Sequence, residues 1–225
     1  MGEIVMLTTD DNVALRAYQA TPEGKPRGGV VVLQEIFGVN HQIRSAADRF
    51  AALGYLAIAP SVQDRVMPGF ETDDYSPESF GKAREFIGGF KLDLAMLDVK
   101  AAIAKAATAG KVGITGYCFG GMLTWRAAHV GMGLSAASGY YGGGVANYID
   151  FAPQIPLEMH YGDRDAGIPL EQVEQLRGRY PLVPIHLYAA DHGFFNDERK
   201  QSFDAAAATV AFARTAEFFA GHLTG

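Results

Sequence analysis

The sequence predicts an α/β fold, a mostly parallel sheet with helices on both faces. Three observations predict it. Short runs such as Gly29-Val30-Val31-Val32-Leu33 are apolar throughout, as strands covered on both faces are. Between these runs apolar residues recur at helical spacing. Glycine or proline stands where one pattern changes into the other, as at Gly54 and Pro60. Of the 225 residues 48% are hydrophobic and 20% charged, enough apolar surface to offset chain entropy. A single domain over residues 1–225 around one core is therefore expected.

The elements follow in order. Residues 13–18 alternate apolar and polar and predict a half-buried outer strand, whereas 29–33 predict a central one. Ile43, Ala46, Ala47, Phe50 and Ala51 mark a helix that Gly54 stops, and residues 55–59 resume the strand pattern up to Pro60. Residues 61–81 are polar and include Pro68, Gly69 and Pro77, which predicts a long surface excursion of the kind that often carries function. Leu92, Met96, Val99 and Ile103 mark one face of the next helix. Strands are then expected at 111–116, 134–140, 155–161 and 184–188, and a last helix at about 202–223. Alternating strands and helices with right-handed crossovers gather the carboxyl ends of the strands along one edge, where such sheets build their sites.

Composition narrows the function. A formal net charge of −6 argues against a broad basic surface for nucleic acid or an anionic membrane. Met1-Gly2-Glu3-Ile4-Val5-Met6 lacks the basic start and long apolar core of a signal peptide, and no apolar run reaches the roughly 18 residues of a membrane span. With one cysteine no internal disulfide forms, and a free thiol is easiest to keep reduced in the cytoplasm, the expected location. No cofactor motif is present. Nothing specifies an oligomer, so a monomer is expected.

That one cysteine, Cys118, lies in Gly116-Tyr117-Cys118-Phe119-Gly120-Gly121, between an apolar run and a helix-like stretch. In a strand-to-helix turn of the G-x-nucleophile-x-G type the nucleophile holds a strained backbone, and glycines at the flanking positions let the chain pack closely. The first helical amide, that of Phe119, then lies beside the sulfur and can hydrogen-bond a developing oxyanion. A helix N-terminus also favours thiolate. The plain alternative is a cysteine buried as a small hydrophobe.

Two more strand ends carry matching chemistry. The loop Gly162-Asp163-Arg164-Asp165 follows one expected strand, and His192 follows another. Nucleophile, acid, histidine is the chain order of the α/β-hydrolase fold. In those roles His192 takes the thiol proton and later activates water, while an aspartate orients it. Asp163 competes with Asp165, since either carboxylate can cap the turn that follows.

The segments Val31-Val32-Leu33-Gln34-Glu35-Ile36-Phe37-Gly38, Gly116 to Gly121, Gly162-Asp163-Arg164-Asp165 and His192-Gly193-Phe194 together resemble the dienelactone hydrolase (carboxymethylenebutenolidase) family over nearly the whole chain. The resemblance implies an α/β-hydrolase fold and hydrolysis of a small ester or lactone, with Cys118 as nucleophile, His192 as base and Asp165 as its partner. It implies that Glu35 is an extra carboxylate near the cysteine, and that the backbone amides of Ile36 and Phe119 form the oxyanion hole. Read from the residue alone, a glutamate just after a buried strand equally fits a structural salt bridge.

One departure concerns substrate. Members that cleave dienelactone hold its carboxylate with two arginines, one in the excursion and one four residues after the histidine. Here that second position is Asn196, whose amide supplies no cationic clamp. Arg65, Arg84 and Arg199 are the candidate replacements. Phe37, Tyr117, Tyr140, Tyr141, Phe194 and Phe195 fall near strand ends and suit either an acyl pocket, for which Phe37 is the first candidate, or ordinary core packing.

Two other classes compete with a thiol hydrolase. One is a small-molecule binding or thiol redox-sensing protein on the same scaffold, which has no need of Asp165, His192 and Glu35 together. The other is a metal hydrolase using His160, Asp163, Asp165 and His192, whose spacing matches no zinc motif, so no metal is expected.

Overall fold

The computed structural model describes residues 2–223. The chain forms two compact units, Met1–Val112 and Gly113–Gly225. Its eight strands are mostly parallel, as the sequence predicts.

In the first unit β1 (Glu3–Thr8), β2 (Ala14–Ala20), β3 (Gly29–Leu33) and β4 (Leu56–Pro60) lie in the order β1-β2-β4-β3. β3 and β4 run parallel, while β2 is antiparallel to both β1 and β4. β3 and β4 are buried at every position, which explains their unbroken apolar runs. β1 carries no such signal, because an edge strand exposes a face. Its Ile4 and Met6 are exposed and only Leu7 is buried.

Helix α1 (His41–Ala52) is capped by Asn40, whose side chain accepts the Ile43 N–H. It buries Ile43, Ala46, Ala47 and Phe50 and stops before Gly54, which adopts φ +91°. The excursion is shorter than expected. A 3-10 turn at Val62–Arg65 opens it, and α2 (Pro77–Gly89) begins inside the expected loop, with Ser76 as N-cap and proline in its first turn. Thr72 donates its N–H to the Phe37 carbonyl at 3.1 Å, and a Cβ at Gly38 would lie 2.4 Å from the Phe70 carbonyl oxygen. The middle of the excursion is thus pressed against the segment that follows β3.

Helix α3 (Leu92–Ala106) buries Ala95, Asp98, Val99, Ala102, Ile103 and Ala106, a stripe rotated from the expected one; Leu92 and Met96 are half-buried. Alanines face inward because the helix sits very close to β3. A Cβ at Gly29 would come within 2.3 Å of the Ala106 carbonyl oxygen.

In the second unit β5 (Val112–Tyr117), β6 (Ala136–Tyr140), β7 (Leu157–Gly162) and β8 (Ile185–Tyr188) lie in chain order, each parallel to the next. They are joined through α4 (Phe119–Val130) and α5 (Leu170–Arg179), and α6 (Ala205–Leu223) closes the chain. α5 escapes sequence reading because it is polar, with only Val173 and Leu176 buried. α6 starts later than expected, at the turn where Asp204 Oδ1 accepts the Ala207 N–H. Its buried Ala207, Ala208, Ala211, Thr215 and Phe219 form one stripe. The core of this unit is aromatic, with Tyr117, Trp125, Tyr140, Tyr161, Phe194, Phe195 and Phe219 out of solvent. Each such side chain contributes roughly 1.5–3 kcal/mol by burial.

Candidate active site

β5 ends at Tyr117 and α4 starts at Phe119, so one residue, Cys118, makes the whole turn. Its backbone sits at φ 54°, ψ −112°, a conformation costly for a residue with a Cβ. Close packing holds it there. A Cβ at Gly116 would lie 2.2 Å from the Gly120 carbonyl oxygen, and one at Gly121 would lie 2.5 Å from the Tyr140 carbonyl oxygen. That Tyr140 oxygen accepts the Cys118 N–H at 3.0 Å. The need for glycine at 121 lies outside the G-x-nucleophile-x-G pattern; the Gly-Gly pair after Phe119 is the signal that carries it.

The thiol is half-buried, with His192 Nε2 3.1 Å from its sulfur. On the other side of the ring, Nδ1 lies 2.6 Å from Asp165 Oδ2. The Asp165 side chain is fully out of solvent, and its Oδ1 accepts the N–H groups of Gly167 at 2.8 Å and Ile168 at 3.1 Å. Asp165 is therefore both the turn cap and the partner of the histidine. Asp163, the competing aspartate, is exposed.

A carboxylate accepts, so Nδ1, which faces Asp165, is the nitrogen that carries a proton there, and Nε2 is the one that faces the sulfur. Burial pushes the His192 pKa down. The negative charge of Cys118 and the hydrogen bonds with Asp165 and Cys118 outweigh burial and hold it well above the usual histidine value. This favours an imidazolium facing the sulfur.

The aromatic candidates separate. Tyr117, Tyr140 and Phe195 pack with ring centroids 4.9 to 5.2 Å apart beneath the turn and are core. Tyr141 holds φ 33° and sets its ring 5.1 Å from that of His192, with Phe194 5.4 Å further on. In the first unit Phe37 is 2% exposed and meets Tyr75 and Phe80 edge-on, at 4.9 Å in each case. Glu35 is also buried, directly after β3; beside it Gln34 Nε2 donates to the Glu35 carbonyl and to Gln63 Oε1.

The substrate-binding candidates are placed as follows. Arg65 is spent on structure: its guanidinium grips Asp98, whose side chain is fully buried, and Asp11. Arg84 is exposed on α2. Asn196 is fully buried, and its Oδ1 accepts the Glu198 N–H at 3.2 Å. Arg199 folds back over the loop after the histidine, with Nη1 3.4 Å from the His192 carbonyl oxygen. His160, a candidate of the metal reading, turns instead to Glu158 and Tyr188. Among the described residues no group of three or more His, Cys, Asp or Glu is placed to hold a metal, and no helix is long and apolar enough to cross a membrane.

Parallel strands with a strained strand-to-helix turn and acid and histidine on later strand ends define an α/β hydrolase. The profile of the dienelactone hydrolase family matches residues 15–223, and the chain belongs to that family. The protein is accordingly a hydrolase of ester or lactone bonds. A candidate carboxymethylenebutenolidase of Synechocystis is 34% identical over 231 residues, covering 93% of each chain. The carboxymethylenebutenolidase of Pseudomonas putida is 29% identical over 229 residues, covering 98% of this chain and 97% of its own. A crystal structure of a candidate dienelactone hydrolase from Klebsiella pneumoniae superposes with a TM-score of 0.86 at 29% identity, covering 98% of both chains.

Proposed function

We propose that the protein hydrolyses a small ester or lactone through an acyl-enzyme on Cys118, with His192 as acid and base and Asp165 as its orienting partner. The observation that carries this reading is the unbroken hydrogen-bonded run from Asp165 through His192 to the sulfur, at a turn strained in the way a nucleophile requires.

The thiolate adds to the substrate carbonyl, and the Phe119 amide at the start of α4 stabilises the oxyanion. The imidazolium gives its proton to the departing alkoxide, leaving a thioester on Cys118. Neutral His192 then takes a proton from water, the hydroxide adds to the thioester, and collapse releases the acid and restores the ion pair. A lactone keeps its alcohol tethered, so it leaves as one ring-opened hydroxy or keto acid. Through the family resemblance the Ile36 amide joins the oxyanion hole, and Glu35, freed from an ion pair when substrate displaces it, is the alternative first acceptor of the thiol proton in place of His192. The same reading treats the chain as one catalytic domain, a monomer of the cytoplasm.

The test is hydrolysis of a dienelactone carboxylate, neutral aryl esters and neutral lactones by the wild type and by Cys118→Ala. Cysteine-dependent turnover of the neutral substrates is expected, since Arg65 is engaged and Asn196 carries no charge. Turnover of the anionic lactone as well would assign its carboxylate to Arg199 or to Arg84, the remaining arginine candidates. Undiminished hydrolysis by Cys118→Ala would remove the proposal.

A further inference from the structure

A second polar cluster lies beneath the turn, and the chemistry above makes no use of it. Glu158 on β7 is 3% exposed, yet its environment supplies donors from every side. Ser138 Oγ and Thr215 Oγ1 each lie 2.9 Å from Oε1, and His160 Nε2 lies 3.0 Å from the same oxygen. His186, at the half-exposed strand β8, reaches Oε2 at 3.4 Å. Burial pushes the Glu158 pKa up, but the hydrogen bonds from His160, His186 and Ser138 outweigh it and hold the carboxyl below the usual carboxylate range.

Proton counting gives the cluster a direction. A carboxylate only accepts, so His160 Nε2 carries a proton; burial, which outweighs the pull of Glu158, lowers the His160 pKa and keeps the ring neutral. Its Nδ1 then accepts from the Tyr188 hydroxyl at 2.8 Å, which in turn accepts from Arg214 at 3.1 Å. Thr215 has one proton. With that proton turned to the carboxylate, the Tyr140 hydroxyl donates to Thr215 Oγ1 at 2.8 Å.

The cluster therefore holds Tyr140 by its hydroxyl, and His160 stacks on the Tyr140 ring at 4.5 Å. The His160 carbonyl holds the next residue, accepting the Tyr141 N–H at 2.7 Å. These two tyrosines touch both halves of the proposed catalytic pair. The Tyr140 carbonyl accepts the Cys118 N–H, and the Tyr141 ring rests against His192. A buried carboxylate carries a desolvation cost of several kcal/mol, and an apolar side chain in its place is often neutral or stabilising. General stability is thus a poor reason for its presence.

We propose that Glu158, with His160 and Thr215, is a positioning group for the reaction: it fixes the Tyr140-Tyr141 peptide so that the sulfur of Cys118 and the ring of His192 stay in register. The proposal rests on Cys118 being the nucleophile. It requires that loss of the cluster lower kcat, since misplacement of reacting groups by about 1 Å can cost up to 100-fold, while substrate binding is left alone.

The test compares Thr215→Val, which keeps shape and loses the hydroxyl, with Thr215→Ser, which keeps the hydroxyl, and with Tyr140→Phe, which keeps the ring stacks. Rates on an aryl ester are normalised to the thiol titrated in folded protein, with Cys118→Ala measured alongside. Thr215→Val and Tyr140→Phe should lose roughly tenfold in kcat with KM within about twofold, and Thr215→Ser should recover most of the loss. Wild-type kcat in Tyr140→Phe overturns the positioning role, and so does a loss in Thr215→Val that appears only as a lower melting temperature. Turnover by Cys118→Ala overturns the nucleophile assignment and this proposal with it, so the two failures are told apart.

Discussion

Gly121 and Tyr140 are in such close contact that a Cβ on the glycine would stand 2.5 Å from the tyrosine's carbonyl oxygen, the oxygen that accepts the Cys118 N–H. The strained nucleophile turn and the end of β6 are therefore one packing unit. Gly121→Ala should force the two apart, cost about 2 kcal/mol of stability and lower kcat at the same time. Gly81→Ala on α2, where a Cβ would meet nothing within 4 Å, should instead stabilise by up to about 1 kcal/mol and leave kcat alone. Urea unfolding with parallel ester assays reads both, and equal effects at the two sites would contradict the packing argument.

Asp165→Asn keeps an oxygen for the Gly167 and Ile168 N–H groups but can set an amide donor against His192 Nδ1. The ring then prefers the tautomer with its proton on Nε2, which cannot accept from the thiol. A fall in kcat of about 10⁴, with the folded spectrum retained, is expected by analogy with the serine-protease triad. A fall below tenfold would mean that the aspartate has no part in orienting the histidine.

His192 titrates above the usual histidine range, because Cys118 and Asp165 outweigh burial. The folded state therefore binds this proton more tightly than the unfolded state, whose histidine titrates near 6.5. The sign follows: this residue's stabilising contribution is complete below about pH 6.5 and is lost as pH rises through its raised folded value. Imidazole NMR should show His192 protonated well past neutrality, and Cys118→Ala should lower its pKa by removing the facing charge. A wild-type histidine that titrates at about 6.5 would contradict the ion pair.

Arg65 tests the difference between a substrate clamp and a structural one. Its guanidinium, 11% exposed, joins Asp98 on α3 to Asp11 in the β1–β2 turn. Arg65→Ala leaves Asp98 buried and unpaired and should cost about 3 kcal/mol in urea unfolding, with KM for an anionic lactone unchanged. A selective rise in that KM at full stability would restore the substrate role.

Much of the frame was legible because local rules encode it. β3 coincides with its expected range, and β4 ends at Pro60 as expected, since fully buried parallel strands leave uninterrupted apolar runs. α1 was legible from its stripe and its stop. β1 and α5 were not, one being an edge strand with Ile4 and Met6 exposed, the other a polar helix with two buried residues. On α3 the expected Val99 and Ile103 are buried, but Leu92 and Met96 give way to alanines, which the close approach of Gly29 to Ala106 favours.

By itself the sequence determined most of the order of strands and helices, though not β1, α2 or α5, together with the cysteine at a glycine-flanked turn and the strand ends that carry acid and histidine. Hydrophobic period and the sterics of adjacent residues act over a few positions, so they are written locally. The residues alone left Asp163 and Asp165 open and the family resemblance named Asp165; only the tertiary structure decided that Arg65 serves Asp98 and that Glu158 reaches Tyr140 through Thr215. These relations join residues 27 positions apart for Asp165 and His192, 33 for Arg65 and Asp98, and 57 for Glu158 and Thr215. Which donor meets which carboxylate is set by where packed elements bring them, a relation no local pattern contains.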